Sequence, residues 1–138
     1  VIYISDKIYR EFEPNIVPLL RALHELDIPT CDSCQGHLKS TEKDPFPNVY
    51  IDGSSSLFEP NNLLKLIEIL IIWNQQRERK WQWIVEEKVL NDRIGLSHLF
   101  WLKPFEENNN RNSRVLSRFR KDALNLAGFI QQTSKEST

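Results

Sequence analysis

This chain of 138 residues has no methionine, only four glycines, two cysteines and three histidines. Each scarcity excludes something. Two cysteines three residues apart cannot staple a secreted fold in the usual way, so a disulfide framework is excluded and a reducing cytoplasm is the expected compartment. Without an initiator methionine, the chain is expected to be trimmed at its N-terminus. No glycine-rich phosphate loop is present, and neither a paired-carboxylate signature nor a Ser-His-Asp constellation can be placed from spacing. No charged-then-apolar leader opens the sequence. The longest apolar run, Leu63 to Trp73, contains Lys65 and Glu68 and is about half the length that crosses a bilayer. A membrane partner is therefore not expected.

What is present fits an ordinary globular chain: 40% hydrophobic and 27% charged residues. A chain this long can bury enough surface to fold without a metal or a cross-link. The expected organisation is a single α+β domain over residues 1–132, with a frayed tail over 133–138. The net charge of −1 argues against a protein that coats nucleic acid, but the charge is unevenly spread. Residues 1–75 carry 6 Lys/Arg against 11 Asp/Glu, whereas residues 76–138 carry 12 against 8. Only the C-terminal part offers a surface to an anionic partner.

Periodicity gives the elements. VIYIS at the start is β-branched and aromatic and reads as a strand. Ile16, Leu19, Leu20, Leu23 and Leu26 recur at helical spacing, and Pro29 pushes Ile28 out of the helical region. NVYID reads as a strand. Ser56 and Glu59 have the spacing of a capping box and open a helix expected to reach about Arg79, buried on most sides. KWQWIVEEKV, with Trp81, Trp83 and Val85 on one face, and SHLFWLKPF read as strands around a turn at residues 92–95. A last helix is expected from about Ser113 to Gln132. The fold class that follows is α+β, a single mixed or antiparallel sheet covered by helices, with a ferredoxin-like core.

The densest chemistry lies in PTCDSCQGH, Pro29 to His37, and it admits four readings. Cys31, Cys34 and His37 have the rhythm of metal ligands, with His24 or His98 as a fourth, although a complete zinc motif brings a second ligand pair that this chain lacks. The C-x-x-C spacing also suits dithiol chemistry, but Gly36 and the polar loop after it remove the helix that would lower a thiol pKa. Alternatively, Ser33, Cys34, Gly36 and His37 form one loop at a strand end that lines a pocket. There Gly36 allows close backbone approach, Ser33 offers a hydroxyl, Cys34 a nucleophile and His37 a proton shuttle. The fourth reading is a structural turn whose side chains satisfy one another.

The pattern Thr30, Ser33, Cys34, Gly36, His37, with Pro47 and Val49 following, resembles a group of small uncharacterised bacterial and phage proteins with a T-x-x-S-C-x-G-H segment. Ser33, Cys34 and Gly36 also resemble the S-S-C-S-G-R segment of the wybutosine-synthesising tRNA methyltransferase family, with His37 in place of the arginine and Asp32 in place of the first serine. That second resemblance covers about ten residues. It implies a site near S-adenosylmethionine and a tRNA nucleotide, and supports a pocket more than it supports methyl transfer.

Arg111, Arg114, Arg118 and Lys121 recur at intervals of three and four, which places them on one stripe of the last helix, with Arg120 nearby. Such a stripe is either a solvated face or a phosphate-binding one. The four tryptophans form either a core layer or a stacking platform for a base. Together these features predict a pocket for a nucleotide-like or other small anionic ligand. His37 and Cys34 are its candidate catalytic residues, and Thr30, Ser33, Gly36, Arg114 and Arg118 its candidate ligand-binding ones. Zinc, through Cys31, Cys34 and His37, or S-adenosylmethionine is the cofactor these readings admit, and RNA the partner of the basic helix. The contrasting expectation is a non-enzymatic module that sequesters a ligand or contacts a partner.

Overall fold

The computed structural model describes residues 2–38, 45–92, 95–105 and 112–136. Within them the order is α1 (Asp6–Tyr9), α2 (Val17–Glu25), β1 (Thr30–Cys34), β2 (Asn48–Asp52), α3 (Pro60–Asn74), β3 (Trp83–Asp92), β4 (Gly95–Pro104) and α4 (Ser113–Glu136). The fold is α+β. Its sheet has the strand order β1-β2-β4-β3, and every neighbouring pair is antiparallel. Strands β2 and β3 are each antiparallel to β4, so they run parallel to one another with β4 between them. The β2–α3–β3 crossover is thus a split βαβ unit, the building block of ferredoxin-like sheets.

The inner sheet face and three helices meet in one core. Val49 and Ile51 of β2, Leu102 of β4 and Trp83 of β3 are fully buried against Leu19, Leu20 and Leu23 of α2, Leu66 of α3, and Ala123, Leu126 and Ile130 of α4. Each fully buried Leu or Ile of this kind contributes roughly 1.5–3 kcal/mol of transfer free energy, so the core alone accounts for a fold without cross-links. A smaller cluster, Phe46 with Val115, Leu116 and Phe119, closes one end, and Trp81 packs against it. This second cluster lies beneath the loop that follows β1, because Gly36 touches Leu116 and the Pro45–Phe46 backbone.

Several sequence expectations are corrected. Residues 2–5 form no strand; Ile2 instead donates its amide to the His24 carbonyl, and the chain turns at once into α1. Helix α3 starts at Pro60, not Ser56. Proline at the first helical position needs no amide partner, and Glu59 takes the cap position with no side-chain cap bond. The helix ends at Asn74, whose side chain bonds the Trp83 backbone through both its amide nitrogen and its oxygen. It is also less enclosed than its composition suggests, since Leu64, Ile71 and Ile72 are exposed. Trp81 sits in a 3-10 turn over Arg79–Trp81 and not in the strand, so it does not share a strand face with Trp83. Helix α4 continues to Glu136, past the point where fraying was expected; residues 137–138 lie outside the described residues, as does Arg111. Among the described residues no helix is long and apolar enough to cross a membrane.

Candidate functional site

The two cysteines part company inside β1. Thr30 pairs with Ile51 and Asp32 with Tyr50, so Cys31 is the extra residue of a β-bulge. Its side chain is left at the surface with its thiol toward the Tyr50 carbonyl at 3.7 Å. Partial cover of the sulfur, then the Asp52 and Asp32 carboxylates, push this thiol above its ordinary pKa. Cys34 closes the strand opposite Asn48 and is half-buried. The expected grouping of Cys31 with Cys34 and His37 is therefore corrected, because the bulge sends Cys31 elsewhere.

What gathers around Cys34 is a residue the sequence did not single out. Glu13, in the segment between α1 and α2, reaches the loop and accepts three donors. The Gln35 amide donates to Oε1 at 3.0 Å, His37 Nε2 lies 2.5 Å from Oε2, and the Cys34 thiol also bonds the carboxylate. Burial pushes the Glu13 carboxyl up, but the Gln35 amide, the hydrogen bond and charge of His37, and the Cys34 thiol together outweigh it and hold the group below its ordinary value. A Glu13 oxygen, the Cys34 sulfur and a His37 ring nitrogen all lie within 4.8 Å of one another, each half-buried.

The loop itself is fixed from three sides. Gly36 is buried with φ of +90°, and a Cβ there would stand 2.6 Å from the Pro45 carbonyl oxygen and 2.8 Å from Leu116 Cδ1, so no other residue fits. Its amide points to Cys34 Sγ at 3.3 Å. Arg120 of α4 donates Nε–H to the Gln35 carbonyl at 3.1 Å and Nη2–H to the Gly36 carbonyl at 2.5 Å. Asn15 grips the Gln35 side-chain oxygen with its backbone and side-chain nitrogens, both at 3.0 Å. Asn15 and Arg120 also rim a cleft of about 550 Å³ between the start of α2 and α4, whose other walls include Ser117 and Lys121.

Of the remaining expected residues, Ser33 belongs to the loop and the others lie apart from this centre. Thr30 hydrogen-bonds through Oγ1 to His24 Nε2 at 2.9 Å, and the other nitrogen of His24 meets the Tyr9 hydroxyl at 2.6 Å, so this buried histidine is already partnered. Ser33 is half-buried and its amide donates to Asp32 Oδ1. His98 lies well inside β4, 3.0 Å from Glu87 and against the Phe100 ring, away from the loop. Arg114 is exposed. Arg118 lies over the Trp81 ring at 4.1 Å and 3.8 Å from Asp122, which also holds Arg77 at 2.6 Å. Among the described residues, Arg120 is the basic residue of α4 that bonds the loop, at Gln35 and Gly36. Tyr50 and Trp101 stack with ring centres 5.2 Å apart on the outer sheet face, flanked by Lys88 and Lys103 over the Trp101 ring. No family model, curated protein sequence or solved structure matches this chain.

Proposed function

We propose that the protein binds a small anionic, nucleotide-like ligand in the cleft between α2 and α4, beside the Ser33–His37 loop. In this reading the Glu13–His37 couple holds a proton that can be exchanged with the bound ligand. The carrying observation is that cleft and loop share residues: Asn15 and Arg120 rim the one and clamp the other. Arg120 and Lys121 supply positive charge, Ser117 and Asn15 supply hydrogen-bonding groups, and a volume of about 550 Å³ suits a nucleotide-sized molecule. The contact between the Glu13 carboxylate and the His37 ring gives a proton a direct path between the two groups, the pairing that general acid–base chemistry uses. The resemblance of Ser33, Cys34 and Gly36 to a segment of a tRNA-modifying family is consistent with the same ligand class, and with nucleic-acid modification as the chemistry.

Calorimetric titration of inorganic phosphate and a nucleoside monophosphate into chelator-treated protein tests the reading. Saturable binding that weakens with added salt and in Lys121→Ala supports it; no binding of either probe overturns it. A non-enzymatic module differs in one respect, because His37→Gln would then alter affinity alone and no turnover would depend on it. RNA contact through α4 would rest on Arg114 and Lys121, since Arg118 is engaged by Trp81 and Asp122.

A further inference from the structure

We propose that Glu13, Cys34 and His37 form a binding site for a divalent transition cation of the zinc class. The inference stands on these three donors and does not require the neighbouring cleft to take an anion. Zinc prefers sulfur, imidazole nitrogen and carboxylate oxygen, which are the three donor types that converge here within 4.8 Å. In a tetrahedral site with bonds of roughly 2.0–2.3 Å, ligand atoms stand about 3.3–3.8 Å apart. The three donors therefore need only small adjustments around a central ion. One of them is the opening of the 2.5 Å contact between His37 Nε2 and Glu13 Oε2, and both side chains are exposed enough to move, at 33% and 38%.

The surroundings favour the ligating state. The Gln35 amide occupies Oε1 of Glu13 and leaves Oε2 for the ion. The Gly36 amide points at the Cys34 sulfur and stabilises a thiolate there. Arg120 and Asn15 hold the backbone and side chain of Gln35, so the loop that carries two of the ligands is already shaped. Binding sends the Cys34 thiol proton to bulk water and displaces the proton held between His37 Nε2 and Glu13 Oε2, so the ion and the proton couple of the metal-free protein are alternative occupants of one site. A thiolate and a carboxylate then balance the two positive charges of the ion. Three protein ligands leave a fourth position for water or an anion, which is the pattern of catalytic rather than structural zinc. A thiolate ligand disfavours magnesium and calcium, which take oxygen donors.

The test uses chelator-stripped full-length protein under a phosphine reductant, titrated with zinc by calorimetry and with cobalt by absorbance, in phosphate-free buffer. One ion per chain is expected, with a near-ultraviolet thiolate-to-cobalt band and the intense visible absorbance of a four-coordinate ion. Cys34→Ser should abolish the band, and Glu13→Gln and His37→Gln should each weaken binding by roughly tenfold or more. Cys31→Ser should leave band and affinity unchanged. Far-UV circular dichroism establishes that each variant is folded, and Cys34→Ala serves as the substitute if Cys34→Ser is not. The proposal is overturned by absence of stoichiometric binding to folded wild-type protein, by a cobalt complex without a thiolate band, or by a band that survives Cys34→Ser and disappears in Cys31→Ser. Phosphate binding is measured separately on the stripped protein, so loss of the metal result leaves the anion result standing, and the reverse.

Discussion

His37 Nε2 stands 2.5 Å from Glu13 Oε2, although 24 residues separate the two in the chain. This contact ties the loop after β1 to the segment that leads into α2, and it turns a short local motif into a site with two walls. The Cys34 thiol and the Gln35 amide converge on the same carboxylate, so Glu13 organises the loop as well as facing it.

Glu13→Gln should therefore change the pH dependence of stability. The folded-state pKa of Glu13 lies below its ordinary 4.5, so its stabilising contribution is present in full above that value and is lost as pH falls through the depressed one. In denaturant titrations across pH, wild type should exceed Glu13→Gln by a constant margin above the ordinary glutamate range, and the curves should converge in acid. Parallel curves throughout would contradict the assignment.

Gly36→Ala should destabilise the protein by at least about 2 kcal/mol, since it combines a left-handed backbone with a Cβ forced against the Pro45 carbonyl. Thermal or denaturant unfolding reads the loss directly. A change of a few tenths would mean that the loop has room the geometry does not show.

Arg120→Ala removes two charge-assisted hydrogen bonds to loop carbonyls, worth about 1–3 kcal/mol together in a half-buried setting. Faster amide hydrogen exchange should appear at Gln35, Gly36 and His37, more than 80 residues away in sequence. Unchanged exchange there would show that the guanidinium does not hold the loop.

Cys31→Ser should be nearly silent, within about 0.5 kcal/mol, because the residue is the exposed extra one of a bulge. Its raised thiol pKa also predicts slow alkylation at neutral pH, measurable by mass spectrometry of each cysteine.

Burial holds the His24 imidazole below its ordinary 6.5, between the Tyr9 hydroxyl and Thr30. The unfolded chain then binds a proton that the folded one refuses, so the stability His24 contributes is present above 6.5 and declines as pH falls from there toward the depressed value. The wild type should lose stability over that window more steeply than His24→Gln.

Much of the fold was legible because periodicity reports burial. Helix α2, strand β2 and helix α4 follow apolar spacing and bury the residues it marks, whereas β3 and β4 form as expected but leave Val89, Leu90 and Leu96 exposed toward their shared turn. VIYIS misled because β-branched residues score as strand wherever they lie, while here Ile4 packs on the core from an irregular segment. The start of α3 misled because a proline outranked the capping pattern. At the site, Gly36 and His37 were visible as an unusual pair, but Glu13 was not. It precedes a proline in an acidic stretch, and nothing local distinguishes it from Glu11; only the antiparallel return of the chain brings it to Cys34. The bulge at Cys31 was equally hidden, since it depends on the register of a partner strand.

The central claim is that the Glu13 segment, the Ser33–His37 loop and the adjoining face of α4 form one functional centre. Amide chemical-shift mapping tests it most directly, with inorganic phosphate added to stripped protein and zinc added to a second sample. The expected shifts cluster at residues 13–15, 33–37 and 117–124, with phosphate weighted toward the cleft and zinc toward Glu13, Cys34 and His37. Shifts confined to the outer sheet face around Tyr50 and Trp101, or no shifts with either probe, would contradict it.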